Sequence, residues 1–386
     1  MKKYLNLDLS DLQKIGGEYT ASEIAGQPDL WVSIFNKIES EQNVISDFLT
    51  KTLAKTKKII LTGAGTSAYI AFSQEGAIQR KTKITTVSIS TTHLVSHPAD
   101  YFDSDVPTLL VSYARSGNSP ESVAAVELAD QLSDNVSHLF ITCNKDGELA
   151  NKKTKGDSFV FLLPEESNDK SLAMTGSYSG MLLSGLILFN IDNLNKQKGI
   201  VDTLNKYGNK ILTDYVSLIS DIAKKPFKRA VFLGSGPLFG TAIESHLKLQ
   251  ELTDGEVLCK NESFLGFRHG PKAVVDESTL VVYYFSNNEY VYKYEKDLVN
   301  SMSKGKSAMC QVGISETDNN DFTLDYNFSL SDTKTISEEY LTVCDILFGQ
   351  ILGFYKSMHS GFQPDTPSKS GAIARVVEGV IIYPLK

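Results

Sequence analysis

Two stretches of this chain concentrate the side chains that handle anions. In Ala114-Arg115-Ser116-Gly117-Asn118-Ser119 an apolar run ends in a guanidinium, two hydroxyls and a glycine, and a helix pattern follows. Ser119, Pro120 and Glu121 suit an N-cap, the first helical position and the first turn. Capping leaves Arg115, Ser116, Gly117 and Asn118 to another purpose. A guanidinium fork, a hydroxyl and exposed N–H groups at a helix N-terminus together favour an oxyanion such as phosphate. Gly63-Ala64-Gly65-Thr66-Ser67-Ala68 places a second glycine turn before a second helix. Its spacing also fits the looser dinucleotide fingerprint, which requires an acidic residue at the end of the next strand, about 20 residues on. That strand, ITTVSIST, carries none. Thr66 and Ser67 add hydroxyl donors, so phosphate is expected at these loops, with Arg115, Ser116 and Gly117 around it, rather than NAD or FAD.

Proton chemistry is suggested elsewhere. Glu244, Lys248 and Glu251 recur at helical spacing and fall within an arc of about 60°. Ile243 and Leu247 border that arc on one side, Leu249 and Leu252 on the other, while His246, Gln250 and Thr253 are expected to face solvent. An exposed salt-bridge ladder would put its charges on the solvated side. A charged stripe between apolar flanks instead suggests a site wall, where a carboxylate beside a lysine is tuned as a general base toward a carbon acid. His269 lies in Arg268-His269-Gly270-Pro271, a shaped loop rather than a helix interior. His93, His97, His138 and His359 are read as structural or merely exposed.

These residues need a scaffold. Residues 1–50 read as helical, with Pro28 opening an amphipathic segment. From Lys58, short aliphatic and β-branched runs (KIILTGAGTS, ITTVSIS, TLLVSYARS, HLFITCN, SFVFLLP) alternate with helical stretches. A long helical region covers about 175–222, and the pattern restarts at RAVFLGSGP, EVLCK, TLVVYYFS, AMCQVGI and DYNFSL before a helix over 335–358. Near-continuous apolar strands alternating with helices predict α/β layers around mainly parallel sheets. Gly63-Ala64-Gly65 and Gly234-Ser235-Gly236 end the first strand of each half, which points to internal duplication. The basic stretch 221–229 reads as a solvated linker.

The 386 residues are 41% hydrophobic and carry a net charge of -8, a poor match to a nucleic-acid backbone. Four scattered cysteines without metal or redox spacing suit reduced thiols in a cytoplasmic protein. The first residues carry no apolar secretory core, and no run of 18 apolar residues predicts a membrane span.

The two halves resemble tandem sugar isomerase (SIS) domains, as in the isomerase part of glucosamine-6-phosphate synthase and in AgaS-type sugar-phosphate isomerases and deaminases. The resemblance spans nearly the whole chain. It is carried by SEIAGQPDLW (22–31), GAGTS, RSGNS, LGSGP with AIESHLKLQE, RHGP, and the tail ARVVEGVIIYP (374–384). It implies three-layer, flavodoxin-like αβα domains: an N-terminal helical segment over 1–50, a phosphate-binding SIS domain over 51–222, a catalytic one over 223–365 and a tail over 366–386.

It further implies that Ser67, Ser116 and Ser119 contact a sugar phosphate beside Arg115, with Thr175 and Ser177 near the pocket. Glu251 matches the base that shuttles a proton between C1 and C2, Lys248 the lysine one turn earlier, and His269 a ring-opening histidine usually supplied by a neighbouring subunit. A homodimer or homotetramer follows from that sharing. Three departures stand out: Ala114 replaces a serine, two additional residues separate Glu251 from His269, and Arg375 falls near the place of the synthase's tail lysine. No metal or other cofactor is called for. With only about 50 helical residues before the first domain, glutamine is not expected as nitrogen donor. The AgaS likeness favours conversion of D-galactosamine 6-phosphate to D-tagatose 6-phosphate and ammonia. The alternatives are isomerisation of a neutral hexose phosphate and a regulator that binds phosphosugar without turnover.

Overall fold

The computed structural model describes residues 2–318, 321–369, 371–377 and 379–385. Met1 of the N-terminal segment, and Ser370, Glu378 and Lys386 of the expected tail, lie outside the described residues. Among those described, no helix is long and apolar enough to cross a membrane.

The chain forms two compact units, each assembled from separate stretches. One comprises Asp29–Asp169, Gly176–Val201 and Ile373–Lys386, the other Met1–Pro28, Lys170–Thr175 and Asp202–Ala372. The first holds a sheet of β1 (Lys58–Thr62), β2 (Thr85–Ser88), β3 (Thr108–Ala114), β4 (Val136–Thr142) and β5 (Ser158–Leu162), in the order β2-β1-β3-β4-β5. The second holds β6 (Arg229–Gly234), β7 (Leu258–Glu262), β8 (Thr279–Tyr284), β9 (Cys310–Thr317) and β10 (Tyr326–Ser331), in the order β7-β6-β8-β9-β10. Every pairing in both sheets is parallel. The two orders are the same once the second is renumbered, so the topology bears out the duplication.

Two further short strands, Lys3–Tyr4 and Leu7–Asp8, pair antiparallel inside the N-terminal segment expected to be helical. The ten strands of the two parallel sheets overlap the runs singled out by composition, for a physical reason. A parallel strand covered on both faces has no solvated side, so every position favours an apolar or β-branched residue. Every residue of β3, β4 and β8 is buried. On one face of the first sheet, Ile60, Leu110 and Phe140 pack with Val123, Val126 and Ala129 of α4 (Pro120–Leu132). In the second unit, Val231, Val281 and Tyr283 pack with Phe264, Leu298 and Met302.

In each sheet the strand order reverses between the first and third strands, and the loops leaving their carboxyl ends border one crevice, where open α/β sheets bind ligands. After β1, Gly65 (φ 55°, ψ -128°) turns the chain into α3 (Thr66–Thr82). After β6, Gly236 (φ 55°, ψ -126°) does the same into α6 (Pro237–Leu252). Side chains rarely adopt this φ. Two residues before each turn, a Cβ on Gly63 would lie 2.5 Å from the Ser67 carbonyl carbon, and one on Gly234 2.1 Å from Leu238 O. Only glycine lets strand and helix approach so closely.

Candidate active site

The expected phosphate residues of the first sheet lie at one edge. Thr66 and Ser67 open α3, each about 5% exposed. Arg115 (6% exposed) follows the last residue of β3, and Gly117 turns the chain at φ 69°. The loop is pinned from behind: Asn144 Nδ2 donates to Ser116 O (2.8 Å), the Leu149 amide to Gly117 O (3.0 Å), and the Glu148 amide to Asn118 Oδ1 (2.9 Å). Ser119 occupies the N-cap position of α4 as expected, yet its hydroxyl makes no capping bond. Ordinary capping therefore does not consume it. A Cβ on Gly65 would meet no other described atom within 4 Å, so this loop has an open face.

Arg375 meets the loop in an unforeseen way. Its carbonyl accepts from Arg115 Nη2 (2.6 Å), while its guanidinium donates to Asp169 O through Nε (2.9 Å) and to Asn168 Oδ1 through Nη2 (2.9 Å). Asp169 is itself buried. It accepts from the amides of Gly176 and Ser177 (both 3.0 Å) and from Ser177 Oγ (2.5 Å) at the start of α5 (Gly176–Leu188). The Ser177 hydroxyl thus donates to Asp169, at full burial. Asp169 carried no recognisable sequence signal, because the link is made across seven residues of irregular chain.

In the other unit, α6 brings Glu244, Lys248 and Glu251 together. Lys248 Nζ lies 3.2 Å from Glu244 Oε1 and donates to Glu251 Oε1. The Lys248 side chain is 1% exposed and that of Glu244 0%, whereas Glu251 keeps 15% of its side chain exposed. Burial pulls the lysine's pKa down, but the two carboxylates outweigh it and hold the pKa above the usual range, so the ammonium keeps its charge. The stripe is a buried charged cluster in which Glu251 alone keeps appreciable side-chain exposure. His246 and Gln250 are part-exposed, as expected, but Thr253 is fully buried. Its hydroxyl donates to Leu249 O (2.7 Å), a local bond that satisfies the polar group and permits burial at the helix end.

His269 belongs to the same unit and is exposed. It follows the turn Phe264–Phe267, which Ser263 caps by accepting from the Gly266 amide (3.0 Å). Among the described residues, its side chain forms no hydrogen bond or ion pair with the Glu244–Lys248–Glu251 set. Thr175 is fully buried, and its carbonyl accepts from Gln350 Nε2 (3.3 Å). Gln27 Nε2 in turn donates to Gln350 Oε1 (2.6 Å). Glu23 accepts from the Lys170 amide (2.5 Å) and from Ser171 Oγ (2.5 Å). Two residues of the string at 22–31 thus clasp the segment 170–175, a role no local pattern announces. No group of three or more His, Cys, Asp or Glu among the described residues is placed to hold a metal.

A family model described as the SIS domain matches residues 52–191. Across 98% of its length the chain is 40% identical to the D-galactosamine-6-phosphate deaminase AgaS of Shewanella sp. (strain ANA-3), covering 95% of that protein. Among solved structures, it superposes with a TM-score of 0.96 on a Clostridium novyi NT protein provisionally named tagatose-6-phosphate ketose/aldose isomerase, at 41% identity and full coverage of both chains. The tagatose-6-phosphate ketose/aldose isomerase of Escherichia coli gives a TM-score of 0.85 at 35% identity, over 95% of this chain and 97% of that one.

Proposed function

The chain belongs to the AgaS family of SIS-domain proteins, and from that premise we propose that it converts D-galactosamine 6-phosphate and water to D-tagatose 6-phosphate and ammonia. Residues 51–222 serve as the phosphate-anchoring domain and 223–365 as the catalytic one. Thr66, Ser67, Arg115, Ser116 and Ser119 hold the phosphate, and Gly65, Thr175, Ser177, Glu244 and Arg375 shape the pocket. His269 assists ring opening. Glu251 removes the C2 proton of the open-chain aldehyde, giving an enolamine, and returns the proton to C1. The resulting C2 imine adds water and expels ammonia. Lys248 stabilises negative charge developing on oxygen. The enzyme acts in the cytoplasm as a homodimer or homotetramer, with His269 contributed to a neighbouring subunit.

The observation that carries this reading is Glu251: a carboxylate held by a fully buried ammonium, with part of its side chain exposed. The test is incubation of purified protein with galactosamine 6-phosphate, reading ammonia and ketose phosphate together. Equal release of both supports the proposal. Absence of both refutes it. Turnover of neutral hexose phosphates without ammonia would instead assign the plain isomerase, and binding without any turnover the regulator.

A further inference from the structure

The duplication leaves two copies of the glycine loop, and their surroundings differ. Gly65 and Gly236 share the same backbone conformation at the start of long helices. A Cβ on Gly65 would meet no described atom within 4 Å, whereas one on Gly236 would lie 3.9 Å from Glu338 Oε1. Glu338 is the first residue of α8 (Glu338–His359). Its Oε2 accepts from the hydroxyl of Ser286, two residues past the end of β8 as Ser116 is two past β3. The second loop thus already faces an anionic group, supplied by the chain.

A second carboxyl completes the arrangement. Glu295, on α7 (Glu289–Met302), is fully buried, and its Oε2 accepts from the Ser286 amide (2.9 Å). Its Oε1 is buried without a hydrogen-bond partner among the described residues. Burial, with a smaller push from the charge of Glu338, raises the Glu295 pKa to about 8. At neutral pH this carboxyl keeps its proton and is not a competing anion. Near this loop the second unit therefore gathers the start of α6, the Ser286 hydroxyl that donates to Glu338, and Glu295, whose Oε2 accepts from the amide of that same serine.

We propose that the Gly234–Gly236 loop is a second oxyanion site, built like the first and permanently occupied by the carboxylate of Glu338. The chain therefore takes one external phosphate group where the duplication built two cradles. The proposal rests on the functional reading above only for what fills the first loop.

The test is equilibrium dialysis of the full-length protein against radiolabelled inorganic phosphate at pH 6.5, counting equivalents bound per chain. Glu338→Ala must bind one equivalent more than wild type, and Ser286→Ala in the same background must lose that gain. If Glu338→Ala does not fold, Glu338→Ser replaces it with the same expected gain. An unchanged count in a folded variant overturns the proposal. The count also separates this inference from the first: if the Gly65 loop binds no phosphate, wild type gives zero and the variant one.

Discussion

Lys248 offers a way to separate stability from chemistry. It is 1% exposed and sits between Glu244, 0% exposed and 3.2 Å away, and Glu251, whose carboxylate it also reaches. Replacing it by methionine keeps much of the volume but leaves the Glu244 carboxylate buried without its counter-charge. Removing one partner of a buried pair costs about 3–5 kcal/mol, because the remaining charge loses its compensation. Against a total stability of about 5–15 kcal/mol for a domain, that is a large fraction. With a urea dependence on the order of 3 kcal/mol per molar, the midpoint should fall by about 1 M or more.

Adding Glu244→Gln to Lys248→Met removes the stranded charge as well, and most of the lost midpoint should return. Activity should not return with it. Glu251 has then lost its ammonium, and the proposed proton shuttle has lost its charge stabilisation, so kcat stays depressed while KM for sugar phosphate changes little. Far-UV circular dichroism should follow the unfolding, since the single tryptophan, Trp31, belongs to the other unit. Wild-type stability in Lys248→Met, or recovery of kcat in the double variant, would refute the reasoning.

Glu251→Gln should lower kcat by about 10²–10⁴-fold, the usual contribution of a positioned general base, with KM little altered; steady-state kinetics decide it. Arg115→Ala should raise KM for sugar phosphate by about 10–100-fold, from the loss of a charge-assisted hydrogen bond worth about 1.5–3 kcal/mol, and an unchanged KM would count against the phosphate role. Glu295 holds its proton to about pH 8 in the folded chain, against an ordinary value of 4.5. The folded state therefore binds the extra proton between those values, and stability falls as pH rises through that window, by on the order of 4 kcal/mol. Glu295→Gln should abolish that slope, gaining on wild type at pH 8 but not at pH 4.5, as read from urea midpoints at both values.

The ten strands and the duplication were legible because a doubly covered parallel sheet imposes its composition on every position, as the fully buried β3 and β8 show. The charged stripe on α6 was legible through helical period alone. Thr253 was misplaced by that same reasoning, since its bond to Leu249 O allows a polar residue to be buried where periodicity expects water. The Arg375 carbonyl on Arg115, the Asp169 cap on α5, and the grip of Glu23 and Gln27 on 170–175 and Gln350 left no trace in spacing. Each is a polar bond between irregular or differently phased segments, local only for Asp169, with nothing periodic to reveal it.

Duplication explains the contrast between the two glycine loops better than either loop does by itself. A copied cradle keeps its N–H groups and its helix dipole, and a buried donor without an acceptor is costly. The second copy therefore needs a permanent anion, whether from solution or from the chain. Glu338 meets that need at the first turn of α8, where a negative side chain is also favoured by its own helix. Freed from holding a ligand at that loop, the helix that follows carries a different cargo on a later turn. Glu244, Lys248 and Glu251 begin two turns into α6, whereas the matching helix of the first copy, α3, carries Ser73, Ala77 and Arg80 at those positions when Gly65 is set against Gly236. On the proposed reading, anchoring and proton transfer are divided between the copies in a way that satisfies both cradles: one left open, and one closed by the protein's own carboxylate.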